Sequence, residues 1–371
     1  QLQATMRAGG DNKQAYEAAG ITCIDGYANF LDSHTVAIGE HQYTAANFIL
    51  ATGAQLKASE ISGLDTVNYL TPDTAIKTRR LPKAVFVVGA GATGCEIAEY
   101  FAELGTKVLI AEMAERILPR EDKEVSTTLS EYLTTELDVT VLPNCKVVAL
   151  EQDSLSKSVI FQTGRSEKMV RVDCVVLATG SQPVLDYGLE NAGVKYQNTG
   201  IKVNKYYETS AKNIYAIGDC IAGEASSERA ELEGAMLASN IVNKTKNAVN
   251  YSGFARVIDT YPQIATVGLN EDDLLRRDRK YHKALIPLAD TMAGKIYNMD
   301  YGFVKLLTDK RSYRIIGASV VAPNAALIAE ELAIAVRHNL TAAEIASTPH
   351  LADGYNYAVR MAAKAIITKK K

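Results

Sequence analysis

A chain of 371 residues that is 47% hydrophobic and carries a formal net charge of −3 has room for two or three domains with ordinary cores. Charges of both signs are spread along its whole length, which leaves no basic footprint for nucleic acid and makes the closing lysines a solvated tail. No apolar run approaches the ~20 residues that a membrane span needs, and the polar start QLQATMRAGGDNK has the form of neither a signal nor a transit peptide, so a cytoplasmic setting is expected.

In chain order, the first clear strand is 47–53, NFILATG, an apolar run that stops at Thr52-Gly53 before a polar segment. Residues 84–88, AVFVV, are an unbroken apolar run, the pattern of a strand buried on both faces of a parallel sheet. GAGATG follows at 89–94, and from 96 to 104 the apolar residues switch to helical spacing. In that order of strand, turn and helix, Gly89 would allow the tight turn and Gly91 would let the backbone approach a pyrophosphate. Gly94 would let the helix pack on the strand, with the helix's free amides and positive end facing the phosphates. The next strand, 107–111, ends in Glu112, which lies 23 residues after Gly89 and 18 after Gly94. A carboxylate there would accept both ribose hydroxyls of an NAD adenosine. The alternative is a glycine-rich turn in a doubly wound sheet that holds no nucleotide.

Strand-like 139–143 and 145–151, a hairpin-like 158–163 and a strand over 169–177 come next. Within the last, 173–180 reads DCVVLATG, an echo of NFILATG that stops at Gly180. A third such strand, 213–220, NIYAIGDC, runs into Gly218-Asp219, and a helix over 227–240 follows it. From 254 the texture changes to strands at 264–269, 283–287, 302–308 and 315–321 and a helix at 325–338, as in an α+β domain. The five cysteines (Cys23, Cys95, Cys145, Cys174 and Cys220) are odd in number and nowhere closer than 29 residues, so neither a disulfide framework nor a metal site is expected.

Several of these segments carry a resemblance. ATG at 51–53, GAGATGCEIAEYF at 89–101, VLIAEMAERILPREDKEV at 108–125, ATG at 178–180, IYAIGDC at 214–220, AELEG at 230–234 and AALIAEELAIAVRHNLTAAEIA at 325–346 stand in one order along nearly the whole chain. In those motifs and that order the chain resembles the pyridine nucleotide:disulfide oxidoreductase family, on the side of its dihydrolipoamide dehydrogenases and mercuric reductases. The resemblance implies an α/β and α+β fold: a Rossmann-like NAD domain (81–199) inserted in the remnant of an FAD domain (1–80, with a return segment at 200–252), then a dimerisation domain (253–371). It implies an FAD-dependent enzyme that passes a hydride from NADH through flavin to a disulfide, a dithiol or a related small acceptor. A mercuric or quinone reductase, or a non-catalytic member that keeps NAD binding and dimerisation, are the alternatives. It also implies a beginning that these residues do not contain, about 100 residues with a first GxGxxG unit and the redox cysteine pair, without which FAD is not expected to be held tightly.

The resemblance assigns further roles. Gly89, Gly91, Gly94 and Glu112 would bind NAD, with Glu112 repelling the 2′-phosphate of NADP, although Arg116 and Arg120 stand nearby. Thr52, Gly53, Gly180, Gly218 and Asp219 would lie along FAD, with Asp219 accepting from its ribityl chain. Glu96 would sit close to the flavin and pair with a lysine that follows the redox cysteines. At the other end the family pattern breaks: without gaps, Ala352 falls where the family's acid/base histidine belongs and Tyr357 where its glutamate partner belongs. His350 comes two residues early with Asp353 three beyond it, so either a shifted loop lets the two serve as acid/base and orienter or His350 is a loop histidine with no partner. A homodimer is expected through 325–338, whose Leu327, Ile328, Leu332, Ala335 and Val336 exceed what one core-facing stripe needs.

Overall fold

The computed structural model describes residues 13–57, 60–154, 156–223 and 226–368, which leaves most of the polar start and the closing lysines outside the described residues. The chain divides into two units, one comprising Gln1–Lys57 with Gly180–Asn250 and the other Ala58–Thr179 with Tyr251–Lys371.

The larger unit is built on Ala84–Val88, which pairs in parallel with Lys107–Ala111 on one side and Cys174–Leu177 on the other, with Thr140–Leu142 completing a four-stranded sheet. Val85, Phe86, Val87 and Val88 are all buried, as a strand covered on both faces requires. The helices Ala92–Glu103 and Lys123–Thr135 cover the Val85 and Val87 face through Ile97, Phe101, Leu129 and Leu133, and on the other face the Phe86 ring meets Phe161. An antiparallel ladder of Cys145–Gln152, Lys157–Thr163 and Ser166–Val172 follows.

The single strand expected over 169–177 is two strands in two different sheets. The break falls at Asp173, whose carboxylate accepts from the amides of Lys83 at 2.7 Å and Ala84 at 3.1 Å. That side chain takes donors at the mouth of the parallel sheet, and the chain changes ladder there.

The same unit carries a five-stranded antiparallel sheet in the order Ala255–Ile258, Gln263–Gly268, Ile315–Ala322, Phe303–Asp309, Tyr281–Pro287. Every residue of the central strand Ile315–Ala322 is buried. Helices Ala325–Arg337 and Tyr357–Thr368 cover the sheet with Ile328, Leu332, Ala335, Ala362 and Ile366. Lys305, fully buried on strand Phe303–Asp309, reaches Asp122 at 3.1 Å, Glu124 at 2.8 Å and Glu271 at 2.5 Å, so an ion cluster fixes the nucleotide-type domain to this sheet.

In the smaller unit Phe48–Leu50 pairs in parallel with Ile214–Ala216, and Ala54–Leu56 pairs antiparallel with Ser181–Pro183. Helix Ser227–Asn243 and an antiparallel meander of Ala28–Phe30, Thr35–Ile38 and His41–Thr44 complete it around Phe30, Leu50, Leu189 and Leu237. Among the described residues no helix is long and apolar enough to cross a membrane.

Candidate functional site

The glycine turn is shaped by two contacts and one opening. Gly89 has φ +97°, and a Cβ there would lie 2.5 Å from the carbonyl oxygen of Ala178. At Gly94 a Cβ would come within 1.9 Å of the Gly89 carbonyl oxygen, so helix and strand meet at a distance that only glycine permits. Gly91, the N-cap of the helix, differs: nothing lies within 4 Å of the place a Cβ would take. The open space therefore sits directly before the first turn, where a helix leaves its leading amides without intrahelical partners and its dipole is positive. An anionic diphosphate fits that cradle.

Glu112 closes the far side of the turn. Its Oε2 accepts from the Ala90 amide and its Oε1 from the Ala114 amide, each at 2.9 Å, so the carboxylate at the strand's end is held in place against the turn itself. Each oxygen keeps a lone pair for a further donor. Arg116 turns away, donating to the Glu121 carbonyl at 3.3 Å and to Asp272 at 3.4 Å. The Arg120 side chain is exposed, while its carbonyl accepts from Asn270.

Glu96 and Glu99 face the antiparallel sheet from the same helix. Glu96 is half-buried and accepts from the Asp259 amide at 3.0 Å, with burial raising its pKa above the ordinary carboxyl range. Glu99 accepts from the Tyr261 amide at 2.6 Å, and burial pushes its pKa up to about 7. Sequence reasoning passed over Glu99; the available signal was an E-x-x-E spacing that puts both carboxylates on one helix face.

In the smaller unit, Thr52 and Gly53 lie between strands Phe48–Leu50 and Ala54–Leu56, and Gly180 precedes the antiparallel neighbour of the second, Ser181–Pro183. Gly53 has φ +67° and Gly180 φ +90°, both with open space where a Cβ would point. The Thr52 hydroxyl meets the Tyr187 hydroxyl at 3.2 Å. Gly218 opens a short turn, Gly218–Cys220, and its amide donates to Glu233 Oε2 at 2.8 Å. Glu233 is fully buried and also held by Arg229 at 2.8 Å. Burial raises the pKa of Asp219, and the neighbouring charge of Glu233 adds to the effect. AELEG thus contains a buried residue that shapes the Gly218 turn, a role the sequence motif alone did not reveal.

The C-terminal loop gives His350 a partner other than Asp353. Its Nε2 lies 2.7 Å from Glu331 on helix Ala325–Arg337, its Nδ1 lies 2.9 Å from the Thr348 carbonyl, and its side chain is 3% exposed. Asp353 and Ala352 are exposed. Because both ring nitrogens face oxygen acceptors, a doubly protonated ring donates to both at once. Glu331 shares its helix face with Leu327 and Ile334, which are 74% and 57% exposed, whereas Ile328, Leu332 and Ala335 are consumed by the core. The five cysteines are free thiols; Cys95, Cys145, Cys174 and Cys220 are buried, and burial raises the pKa of each.

The family described as pyridine nucleotide-disulphide oxidoreductase matches residues 6–250, and its dimerisation domain matches residues 254–362. A mercuric reductase of Staphylococcus aureus is 31% identical over 327 residues, 88% of this chain and 60% of that protein. A dihydrolipoyl dehydrogenase of Bacillus subtilis is 30% identical over 342 residues, 89% of this chain and 71% of that protein. The HOCl-induced flavoprotein disulfide reductase RclA from Escherichia coli superposes with a TM-score of 0.86 at 21% identity, covering 96% of this chain and 82% of that one. The chain spans about 60% of the length of the mercuric reductases it matches.

Proposed function

Since the chain belongs to the pyridine nucleotide-disulphide oxidoreductase family, whose members use FAD and NAD(P)H, we propose that it serves an FAD-dependent NADH oxidoreductase that acts on a disulfide or dithiol. The observation that carries this reading is the glycine cradle: open space before the helix at Gly91, closed packing at Gly89 and Gly94, and Glu112 anchored beside it.

In this reading the first-turn amides of Ala92–Glu103 hold the dinucleotide's diphosphate, and Glu112 accepts from the adenosine ribose and repels a 2′-phosphate. Thr52, Gly53, Gly180, Gly218 and Asp219 line the FAD site, with Asp219 accepting from the ribityl hydroxyls. FAD, when bound, supplies the relay between a two-electron hydride donor and the acceptor. For His350 to give and take the acceptor's proton, its Nε2 must leave Glu331, since Thr348 and Glu331 hold both ring nitrogens; a mercuric or quinone acceptor is the alternative, since Ala352 holds the position of the family's histidine. We divide the chain into FAD-binding segments 1–80 and 200–252, an NAD domain 81–199 and a dimerisation domain 253–371. The free thiols support a reducing, cytoplasmic setting. The exposed Leu327 and Ile334 support a homodimer through helix Ala325–Arg337, which sedimentation at micromolar concentration checks.

Titration with NADH and NADPH tests the nucleotide reading: NADH should bind at least about tenfold more tightly, ~1.4 kcal/mol, and equal affinities would remove it. Comparing lipoamide turnover with dye reduction in one flavin-loaded preparation tests the acceptor. In the full-length protein, lipoamide turnover should be slow beside dye reduction, and turnover as fast as dye reduction that His350→Gln then slows by about 10²-fold would show that His350 supplies the base; a full-length protein that binds NADH and stays colourless after incubation with FAD would mark a non-catalytic member.

A further inference from the structure

The helix that begins at the glycine cradle is gripped from the side by a second element. Glu96 and Glu99 are three residues apart, which puts them one above the other on one face with Cβ atoms about 5–6 Å apart. The amides they receive belong to Asp259 and Tyr261, two residues apart in the segment that joins the strands Ala255–Ile258 and Gln263–Gly268. That segment is the bend between two paired antiparallel strands, so the helix is held at two points by one turn of the sheet. The Thr260 hydroxyl, between them, bonds to the Pro262 carbonyl at 3.0 Å and fixes the segment's own shape.

The two grips are unequal. Glu99 is 7% exposed, and its Oε2 has no hydrogen-bond partner. Among the described residues, the groups that act on it bring no compensating cation: Glu96 and Glu103 from its own helix, Tyr132 from helix Lys123–Thr135 and Tyr261 from the joining segment. Arg256, on the adjoining strand, lies 3.9 Å from Glu121. A neutral acid in this place leaves one buried hydroxyl unsatisfied; an anion leaves an uncompensated buried charge between two other carboxylates, a much larger cost. The rigid helix carries any shift at Glu99 to Gly94, five residues or about 7.5 Å away along the axis.

We propose that Glu99 is a positioning residue whose protonation state sets the seating of the cradle helix against the antiparallel sheet, and through it the affinity for the nicotinamide dinucleotide. This rests on the nucleotide reading above. With the proton on, Glu99 and Glu96 both hold their amides and the cradle is in place. With it off, the cost of burying the anion, to which Glu103 and Glu96 add, outweighs its stronger bond to the Tyr261 amide; the helix moves toward water, away from residues 259–261, and the first-turn amides lose their alignment on the diphosphate. Burial places that change at a pH of about 7, inside the range in which an enzyme works.

The experiment measures the NADH dissociation constant of the wild type and of Glu99→Gln at pH 6 and pH 8. The wild type should weaken about fivefold between the two, the lower end of ordinary coupling between sites, while Glu99→Gln stays within about twofold. Parallel changes in both proteins, or an equal weakening of the variant at both pH values, overturn the positioning role. A wild type that binds no NADH at either pH overturns the nucleotide reading and this inference with it, which separates the two failures. Unfolding without nucleotide gives an independent readout. Between the ordinary carboxyl value of 4.5 and about 7 the folded chain holds a proton that the unfolded chain has lost, so stability falls as pH rises through that window. Glu99→Gln should remove that fall, and an unchanged slope overturns the inference.

Discussion

Two buried clusters join the nucleotide-type domain to the antiparallel sheet, and they are built on opposite principles. Around Lys305 one buried cation is surrounded by Asp122, Glu124 and Glu271, and the further groups Ser319, Tyr281 and Lys283 take up remaining oxygens. Around Glu99 a buried carboxylate has one amide donor, one empty oxygen and only carboxylates and phenols for company. Charge held by charge stays ionised over the working pH range; charge held by burial alone sits at the edge of titration. The first arrangement makes a fixed joint and the second an adjustable one, within the same unit.

The largest effect expected is at the fixed joint. Lys305→Met leaves three carboxylates facing a buried methionine, and removal of one partner from a buried ion cluster costs about 3–5 kcal/mol. Denaturant unfolding should show that loss, and a loss below about 1 kcal/mol would mean that water reaches the cluster. Acid titration checks the same contrast by sign. Burial alone would raise the pKa of Glu124, but hydrogen bonds and charge from Lys305, with help from Lys283, outweigh it and hold it at about 2. A depressed carboxyl gives stability that is complete above the ordinary value of 4.5 and is lost as pH falls toward 2, the reverse of the Glu99 slope. Lys305→Met should flatten the acid limb and leave the limb between 4.5 and 7 in place.

How much of this was legible in the sequence depends on how far apart the interacting residues stand. Strand Ala84–Val88 begins and ends where its apolar run does, because a strand covered on both faces leaves no polar position to blur its ends. Gly89, Gly94 and Glu112 lie within one supersecondary unit, so their spacing is itself the geometry. His350 was different. Asp353 was the near carboxylate in the chain, but Glu331 reaches the ring from another helix, 19 residues away. The Lys305 cluster draws on residues 122, 124, 271 and 305, and no local pattern announces such a gathering. Lys305 in FVKLL looks like an outward-facing polar position, yet it is completely buried because Asp122, Glu124 and Glu271 gather on it from distant stretches of the chain.

A middle-sized effect belongs to the cradle that both joints support. Glu112 holds the Ala90 amide in the turn, and in the proposed reading its charge also selects the nucleotide, so Glu112→Ala removes a brace and a charge together. The preference for NADH over NADPH should narrow from about tenfold toward unity, ~1.4 kcal/mol, with NADH affinity falling more than NADPH affinity rises. A variant in which NADPH gains and NADH is unaffected would show that the carboxylate acts by repulsion alone.

The smallest effect expected is at Glu96, and it sharpens the contrast most. Glu96 and Glu99 make the same kind of bond from the same helix to the same segment, but Glu96 is half-buried and Glu99 is almost completely enclosed. Burial raises both, and it carries Glu99 up to about 7. In Glu96→Gln the amide oxygen still accepts from Asp259, so one acceptor replaces another and the loss is small, about 0.5–1 kcal/mol. At Glu99 the same isosteric change should stabilise the protein at pH 8, where the wild type carries the uncompensated anion, and change little at pH 5, where it does not. Thermal unfolding of the two variants at pH 5 and pH 8 compares them directly. If Glu96→Gln showed the pH-dependent gain and Glu99→Gln the small constant loss, the enclosed carboxylate would be Glu96, and the seating of the helix would be governed from the other end of the grip.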